Sequence, residues 1–437
     1  MDKETSLKKT KPHIIWRIAS LAIILFTLTS LAQILYIRAY DIQGSLLWTY
    51  AVLMTIFLLF MFAYETRYIP IQDSGYRPSI SVIIPAKNEE NAIKDTVNAV
   101  LESDYPPEKL EVIMIDDGST DGTTNRMQEI VSDRVTFIKH EVNKGKREAF
   151  ASGFRVAKGE IIISIDSDSY VEKDAIKLLV QPFTDRKISA VAGHGNVYNK
   201  DKNFLTKLQH YWYQEMFRLT KGMESKLNCV TCCSGILAAY RKEVLTTIID
   251  EWLDEKFLGR KVVIGDDRQL TNYVMRGDLK QIGLKTKEIK VKYQANAIVW
   301  TVAPDNYRQF IKQQLRWNRS LMCETYLAFK FMWKKPFPVP LYFYMHNILK
   351  FLSLLVILLW LVWKPLNNEW DGILTFVIGT YYIGFLHAIN VWKYDTDSTE
   401  PILYRTLFVT ISLFISIFIM PYAFLTVRKD GWITRSK

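Results

Sequence analysis

The sequence predicts an α/β domain, a mostly parallel sheet with flanking helices, inserted between α-helical transmembrane segments. Three observations predict it. Nearly uncharged runs of about twenty residues, the length that crosses a bilayer, lie towards both ends of the chain. Between them, short apolar runs alternate with stretches of helical spacing, the signature of a parallel sheet with crossover helices. And the 437 residues are 49% apolar and 13% aromatic yet 23% charged. That excludes both a disordered chain and one wholly embedded in lipid.

The first run is Ile14–Ile37, preceded by Lys8, Lys9 and Lys11. It is too long for a signal-peptide core and lacks a small-residue cleavage site, so it reads as a retained span. The second is Leu46–Tyr64, the third Val339–Trp363, the fourth Ile373–Val391, and the fifth Ile402–Val427, interrupted by Pro421. Lysines before the first run place the N-terminus in the cytosol. Two crossings return the chain there at Arg67, so the polar middle is expected to be cytosolic. Arg428, Lys429, Arg435 and Lys437 in the tail also favour the inside. The fifth run is therefore expected to be re-entrant or interfacial, split at Pro421. The expected organisation is 1–66 with two transmembrane helices, 67–300 catalytic, 301–338 interfacial, 339–427 transmembrane or re-entrant, and 428–437 a cytosolic tail. His346, Lys350 and His387 are polar positions inside these runs that would line a channel.

In the middle segment, 80–86, 110–117, 135–140 and 160–168 read as buried strands. Residues 89–103 and 122–132 between them have helical spacing. Ligands of such sheets gather at the carboxyl ends of the strands. Lys87, Asn88 and Glu89 follow the first strand, Asp116 and Asp117 end the second, and Asp166 and Asp168 end the fourth.

Several chemistries are excluded. No GxGxxG follows the first strand, and Gly145-Lys146-Arg147 lacks the upstream glycine of a phosphate-binding P-loop. The six histidines (13, 140, 194, 210, 346 and 387) show no zinc spacing, and there is no serine nucleophile elbow. Cys229, Cys232, Cys233 and Cys323 are too few and too clustered for a disulfide scaffold, which suits a reduced compartment. The net charge of +11 is spread along the chain with no nucleic-acid motif, so membrane lipids and an anionic substrate explain it better than nucleic acid.

The remaining clusters suit sugar-nucleotide chemistry. Asp166 and Asp168, at i and i+2 on one side of an extended segment, offer hard oxygen ligands for Mg²⁺ or Mn²⁺ carrying a diphosphate. Asp116 and Asp117 would accept hydrogen bonds from a base and ribose. Lys146 and Arg147 would hold phosphate oxygens. Asp267 in Gly265-Asp266-Asp267-Arg268 would act as a general base. In the aromatic and basic stretch Tyr307 to Lys335, Arg316 would bind a leaving diphosphate and Trp317 would stack on a sugar ring. The competing reading of that stretch is interfacial anchoring.

VIIPAKNEE, IDDGSTDGT, DSD, GDDR and QQLRW, in this order, resemble the processive, inverting family-2 glycosyltransferases of the GT-A type. NKGKREA, IDSDSYV, GHGNVYN, CCSG, FLGRKVVIGDDRQLTNY, QQLRWNRS and the terminal GWITR look most like class I hyaluronan synthases. The resemblance implies a membrane enzyme, at the plasma membrane with its catalytic domain cytosolic. It would extend a polysaccharide acceptor from UDP-sugar donors, UDP-GlcNAc and UDP-GlcUA. It further implies that Asp116 and Asp117 bind uridine, Lys146 the diphosphate, and Asp168 with Asp166 the metal, and that Asp267 is the base. Gln313, Arg316 and Trp317 would form the acceptor and diphosphate site, with Cys233 near the acceptor. Trp432, Thr434 and Arg435 would belong to a gating segment. Ile236 stands where the family has proline, which bears on the shape of the acceptor loop. The alternatives are a chitin-like or poly-N-acetylglucosamine synthase, a single-transfer enzyme with a lipid acceptor, and a non-catalytic membrane transporter or scaffold.

Overall fold

The computed structural model describes residues 42–262, 264–283, 288–370 and 373–427. The run Ile14–Ile37 lies outside them. The chain forms two compact units: one runs through Ala63 and includes Leu341–Ile417, and the other is Tyr64–Pro340 with the segment from Phe418 onward.

The second unit is built on ten strands: β1 Ile80–Ala86, β2 Leu110–Asp117, β3 Val135–His140, β4 Ile161–Ser164, β5 Ser169–Val171, β6 Ile188–Val197, β7 Ala238–Arg241, β8 Lys256–Phe257, β9 Arg260–Lys261 and β10 Lys290–Thr301. Eight of them form one sheet in the order β3-β2-β1-β4-β7-β6-β10-β5, while β8 and β9 make a separate hairpin. The 3-2-1-4 half is parallel throughout. β7 runs antiparallel to both β4 and β6, whereas β6 and β10 are parallel. Pro85 is tolerated in central β1 because β4 pairs only as far as Ile83, so the missing N–H costs no ladder bond on that side.

The isoleucine and valine runs of β1, β2 and β4 are buried on both faces, as strands between two helix layers must be. Val82, Ile84, Val112, Met114, Ile161 and Ile163 face Ile93, Val97 and Val100 of the helix Ile93–Leu101. On the other face the helix Lys146–Val156 comes close through Gly153. A Cβ there would lie 2.8 Å from both Ile83 and Ile115. Burying each such isoleucine is worth about 1.5–3 kcal/mol, and this contact sets Lys146 over the strand ends.

The expected strand 160–168 ends at Ser164, and a turn closed by the Ser169 N–H on the Asp166 carbonyl (3.1 Å) leads into β5. Asp166 and Asp168 therefore sit in a turn, not along an extended segment, because three polar residues in succession favour local turn bonding over the ladder. The fifth apolar run is not split at Pro421 either. It is helical without a break across Glu400–Phe414, a π-helical turn at Ile415–Ile419, and Met420–Leu425. Pro421 falls in the first turn of the last piece, and a π-turn relaxes the i→i−4 pattern that proline cannot complete.

Among the described residues three helices are long and apolar enough to cross a membrane: Leu46–Glu65, Val339–Leu366 and Glu400–Leu425. Within the first unit, Phe57 stacks on Tyr342 with centroids 5.9 Å apart, and Gly384 lets the helix Ile373–Trp392 close on Val409. His387 lines a cavity of about 180 Å³ with Tyr50, Ser353, Thr380 and Arg405. His346 packs instead against Phe57 and Tyr342.

Candidate active site

The site is assembled at the carboxyl ends of β1, β2 and β4. Asp116 is fully buried. Its Oδ1 accepts from the Ser119 N–H at 2.9 Å, and its Oδ2 accepts from the Thr124 hydroxyl. Both oxygens thus hold the Gly118–Thr124 turn. Asn88 ties the β1 loop to that turn, its Oδ1 accepting from the Thr120 N–H at 2.9 Å. Asp117 holds the next loop. Its Oδ1 lies 2.8 Å from His140 Nδ1 and accepts from the Lys144 N–H at 2.9 Å, and its Oδ2 accepts from the Gly145 N–H at 2.8 Å. His140 Nε2 in turn lies 3.0 Å from Ser152 Oγ. Gly145 has a φ of 93°, which glycine adopts without strain, and the helix Lys146–Val156 begins at the next residue.

Lys146 is the hub. Its ammonium pairs with Asp166 Oδ1 and lies 3.9 Å from Asp267 Oδ1. Burial works against the charge, but Asp166, Asp267 and Asp266 outweigh it and hold the Lys146 pKa above the ordinary lysine range. Asp168 is buried beside this pair in sequence, one turn residue on from Ser167. Among the described residues no group of three or more His, Cys, Asp or Glu side chains forms a ready-made metal cage.

The helix Asp266–Arg276 delivers the third carboxylate. It starts after Gly265, whose φ is 82° and whose added Cβ would fall 1.9 Å from Ser320 Oγ. Asp267 Oδ2 accepts from the Gly235 N–H at 2.8 Å. Asp266, next to it, has a buried Oδ1 with no hydrogen-bond partner. Burial pushes its pKa up to about 6, with Lys146 opposing. Gly235 sits at the focus: a Cβ there would lie 2.7 Å from Asp267 Oδ1, 2.9 Å from Lys146 Nζ and 3.2 Å from Asp166 Oδ1.

Gly235 ends the loop Thr231-Cys232-Cys233-Ser234-Gly235. Cys233 points inward. It is fully buried, its N–H donates to Thr271 Oγ1 at 2.9 Å, and burial pushes its thiol pKa up to about 12. It is Ser234 and Gly235 of this loop, rather than the Cys233 thiol, that border the carboxylates. All four cysteines are free thiols.

The helix Tyr307–Phe329 carries Gln313, Arg316 and Trp317. Trp317 packs at 5.8 Å from Trp212 and 6.3 Å from Tyr213, centroid to centroid. Gln313 lies beside Tyr213, and its own buried Oε1 has no hydrogen-bond partner. Burial raises the Tyr213 pKa, Arg316 lowers it and Asp166 raises it, so this aromatic wall shares its electrostatic surroundings with the carboxylate cluster. The one mark that Trp212 and Tyr213 leave in the sequence is the aromatic run His210-Tyr211-Trp212-Tyr213. Trp432, Thr434 and Arg435 lie outside the described residues.

Residues 81–249 match the family described as glycosyl transferase family 2. The fold is shared with a mannosyltransferase of Pyrobaculum calidifontis solved with GDP-mannose and Mn²⁺, at a TM-score of 0.57 and 20% identity, covering 88% of this chain and 99% of the other. Residues 81–249 thus carry a family-2 glycosyltransferase domain, and the chain is a glycosyltransferase with the GT-A-type sheet. Along nearly its whole length it is similar to the hyaluronan synthase of Streptococcus pyogenes: 26% identical over 424 residues, 95% of this chain and 97% of the relative. An N-acetylglucosaminyltransferase of Rhizobium meliloti is 32% identical over 255 residues, 57% of each chain.

Proposed function

We propose that the chain is a processive, inverting polysaccharide synthase of the inner membrane face. It builds hyaluronan from UDP-GlcNAc and UDP-GlcUA and passes the polymer across the plasma membrane. The observation that carries the reaction is the convergence of Asp166, Lys146 and Asp267 on Gly235. The polymer's identity rests on similarity extending through 97% of the streptococcal synthase.

Asp267 is the base. The Gly235 N–H holds one of its oxygens, and its side chain is about one-third exposed, so the other oxygen can reach an acceptor hydroxyl. It takes the proton as that hydroxyl attacks the anomeric carbon, and the bond to the UDP oxygen breaks on the opposite face. A single displacement inverts the centre. Lys146 stabilises the charge gathering on the leaving diphosphate. Its helix start is held by Asp117, while Asp116 shapes the adjoining loop, and together these walls receive the uridine. Asp168 and Asp166 are a fitting donor set for Mg²⁺ or Mn²⁺, which uses one or two carboxylates with phosphate oxygens and water. That ion, when bound, supplies charge to the diphosphate. Trp317, Trp212 and Tyr213 offer an aromatic wall for sugar rings, with Gln313 and Arg316 at its edge. Trp432, Thr434 and Arg435 would close over bound nucleotide.

The test is the purified protein given each donor alone and then both. Polymer that requires both donors supports hyaluronan synthesis. Polymer from UDP-GlcNAc alone supports the second reading, a chitin-like synthase, which the 32% identity to the rhizobial enzyme favours.

A further inference from the structure

The loop that frames Asp267 is flanked by two cations the mechanism does not use. Lys221 closes a π-helical turn, Met216–Lys221, between the helices Phe204–Glu215 and Gly222–Lys226. The extra residue in such a turn re-aims the side chains that follow, and π-turns concentrate at functional sites. Lys221 is only 4% exposed. Its ammonium donates to Ser234 Oγ at 2.7 Å and sits 4.2 Å from the Phe217 ring centroid. Among the described residues no carboxylate forms an ion pair with it, and Glu224 acts on its charge only from further off. At the loop's other end Arg268, next in sequence to Asp267, reaches the Thr231 hydroxyl at 3.5 Å, and its charge is felt by both Lys221 and Glu324. Glu224 turns its carboxylate to the Thr231 N–H and hydroxyl instead.

A buried ammonium with no carboxylate in direct contact is costly to keep charged. Burial holds the Lys221 pKa below the ordinary lysine value; Cys232, Cys233 and Glu224 oppose it, and Arg268 acts in the same direction as burial. An anionic group arriving here would relieve both cations. Neutral hexosamines bring none, whereas a uronic acid brings one carboxylate per sugar. We propose that Lys221, with the Ser234 hydroxyl, and Arg268 form a carboxylate subsite that recognises the uronic acid. This rests on the hyaluronan reading above and names the residues that would discriminate its two sugars. The carboxylate belongs either to the UDP-GlcUA donor or to a uronate at the end of the nascent chain.

The test uses the full-length enzyme, wild type, Lys221→Met and Lys221→Arg, with nascent chains stalled on one sugar by withholding the other donor. A donor subsite predicts that Lys221→Met raises KM for UDP-GlcUA about tenfold or more while KM for UDP-GlcNAc stays within about twofold. An acceptor subsite predicts instead that addition of GlcNAc onto uronate-ended chains slows by a similar factor, with addition of GlcUA onto GlcNAc-ended chains unchanged. Lys221→Arg should restore most of either loss. Equal losses for both sugars, or none, overturn the subsite. Should Lys221→Met fail to fold, Lys221→Gln, which keeps a donor for Ser234 without the charge, is read in the same two assays, and equal losses for both sugars, or none, overturn the subsite. A wild type that polymerises UDP-GlcNAc alone removes the hyaluronan reading itself, and the subsite with it. A wild type requiring both donors isolates any failure to the subsite.

Discussion

Replacing Gly235 with alanine probes the centre of the site with one carbon atom. The new Cβ would sit 2.7 Å from Asp267 Oδ1 and 2.9 Å from Lys146 Nζ. Relaxing these to a normal contact near ~3.5 Å displaces the carboxylate by about 0.8 Å and the ammonium by about 0.6 Å. Both are the far ends of side chains that can move, and Gly235 does not have a left-handed backbone. The fold should therefore lose under about 1 kcal/mol. Catalysis should lose far more, because a misplacement near 1 Å costs on the order of 10²-fold. The expectation is a fall in turnover of about 10–100-fold, or about 1.4–2.8 kcal/mol of barrier, with nearly unchanged thermal stability. UDP release by purified wild type and Gly235→Ala, with parallel melting curves, measures both. A variant with wild-type turnover and wild-type stability would refute the convergence of these groups on the reacting atoms.

Asp117→Ala should weaken UDP binding and slow transfer together, since it frees the Lys144 and Gly145 N–H groups that set the start of the Lys146 helix; titration calorimetry beside a turnover assay reads both. Gly265→Ala should destabilise the protein by about 1–3 kcal/mol, from its positive φ and from the Cβ pressed onto Ser320; a denaturant melt measures it, and wild-type stability would contradict the crowding. Glu324 is buried against Asn272, and burial pushes its pKa up to about 8. A carboxyl with a raised native pKa favours the fold fully below its unfolded value, near 4.5, and loses that contribution as pH rises towards 8. Glu324→Gln should therefore melt increasingly above wild type between about pH 5 and pH 8, and a difference constant with pH would count against the burial argument. Chelation should abolish transfer, with Mg²⁺ or Mn²⁺ restoring it; activity undiminished in chelator removes the ion from Asp166 and Asp168.

The parallel half of the fold and most of the carboxylates were legible because buried strands between helix layers are continuous apolar runs, and the polar residues follow them directly. β6, β7 and β10 were harder to read. β7 spans only Ala238–Arg241, and β10 alternates irregularly through a register shift near Tyr293. The turn at Asp166 was missed because three polar residues after a strand fit either extension or reversal, and a hydrogen bond between residues three apart decides. The inward orientation of Asp116 and Cys233 was hidden for the same reason: residue type announces chemistry, while Ser119, Thr124 and Thr271, which are ordinary residues in the sequence, determine which way each group faces. Lys221 left no sequence signal at all. Its burial depends on a π-turn that no hydrophobic periodicity encodes.

If the third carboxylate is the proton acceptor, then removing its charge alone should stop transfer and leave nucleotide recognition intact. The decisive comparison is Asp267→Asn against wild type, read by UDP affinity and by sugar incorporation in the same preparation. UDP affinity should stay within about threefold of wild type while incorporation falls by roughly 10²–10⁴-fold. Incorporation within a few-fold of wild type would show that another group takes the proton.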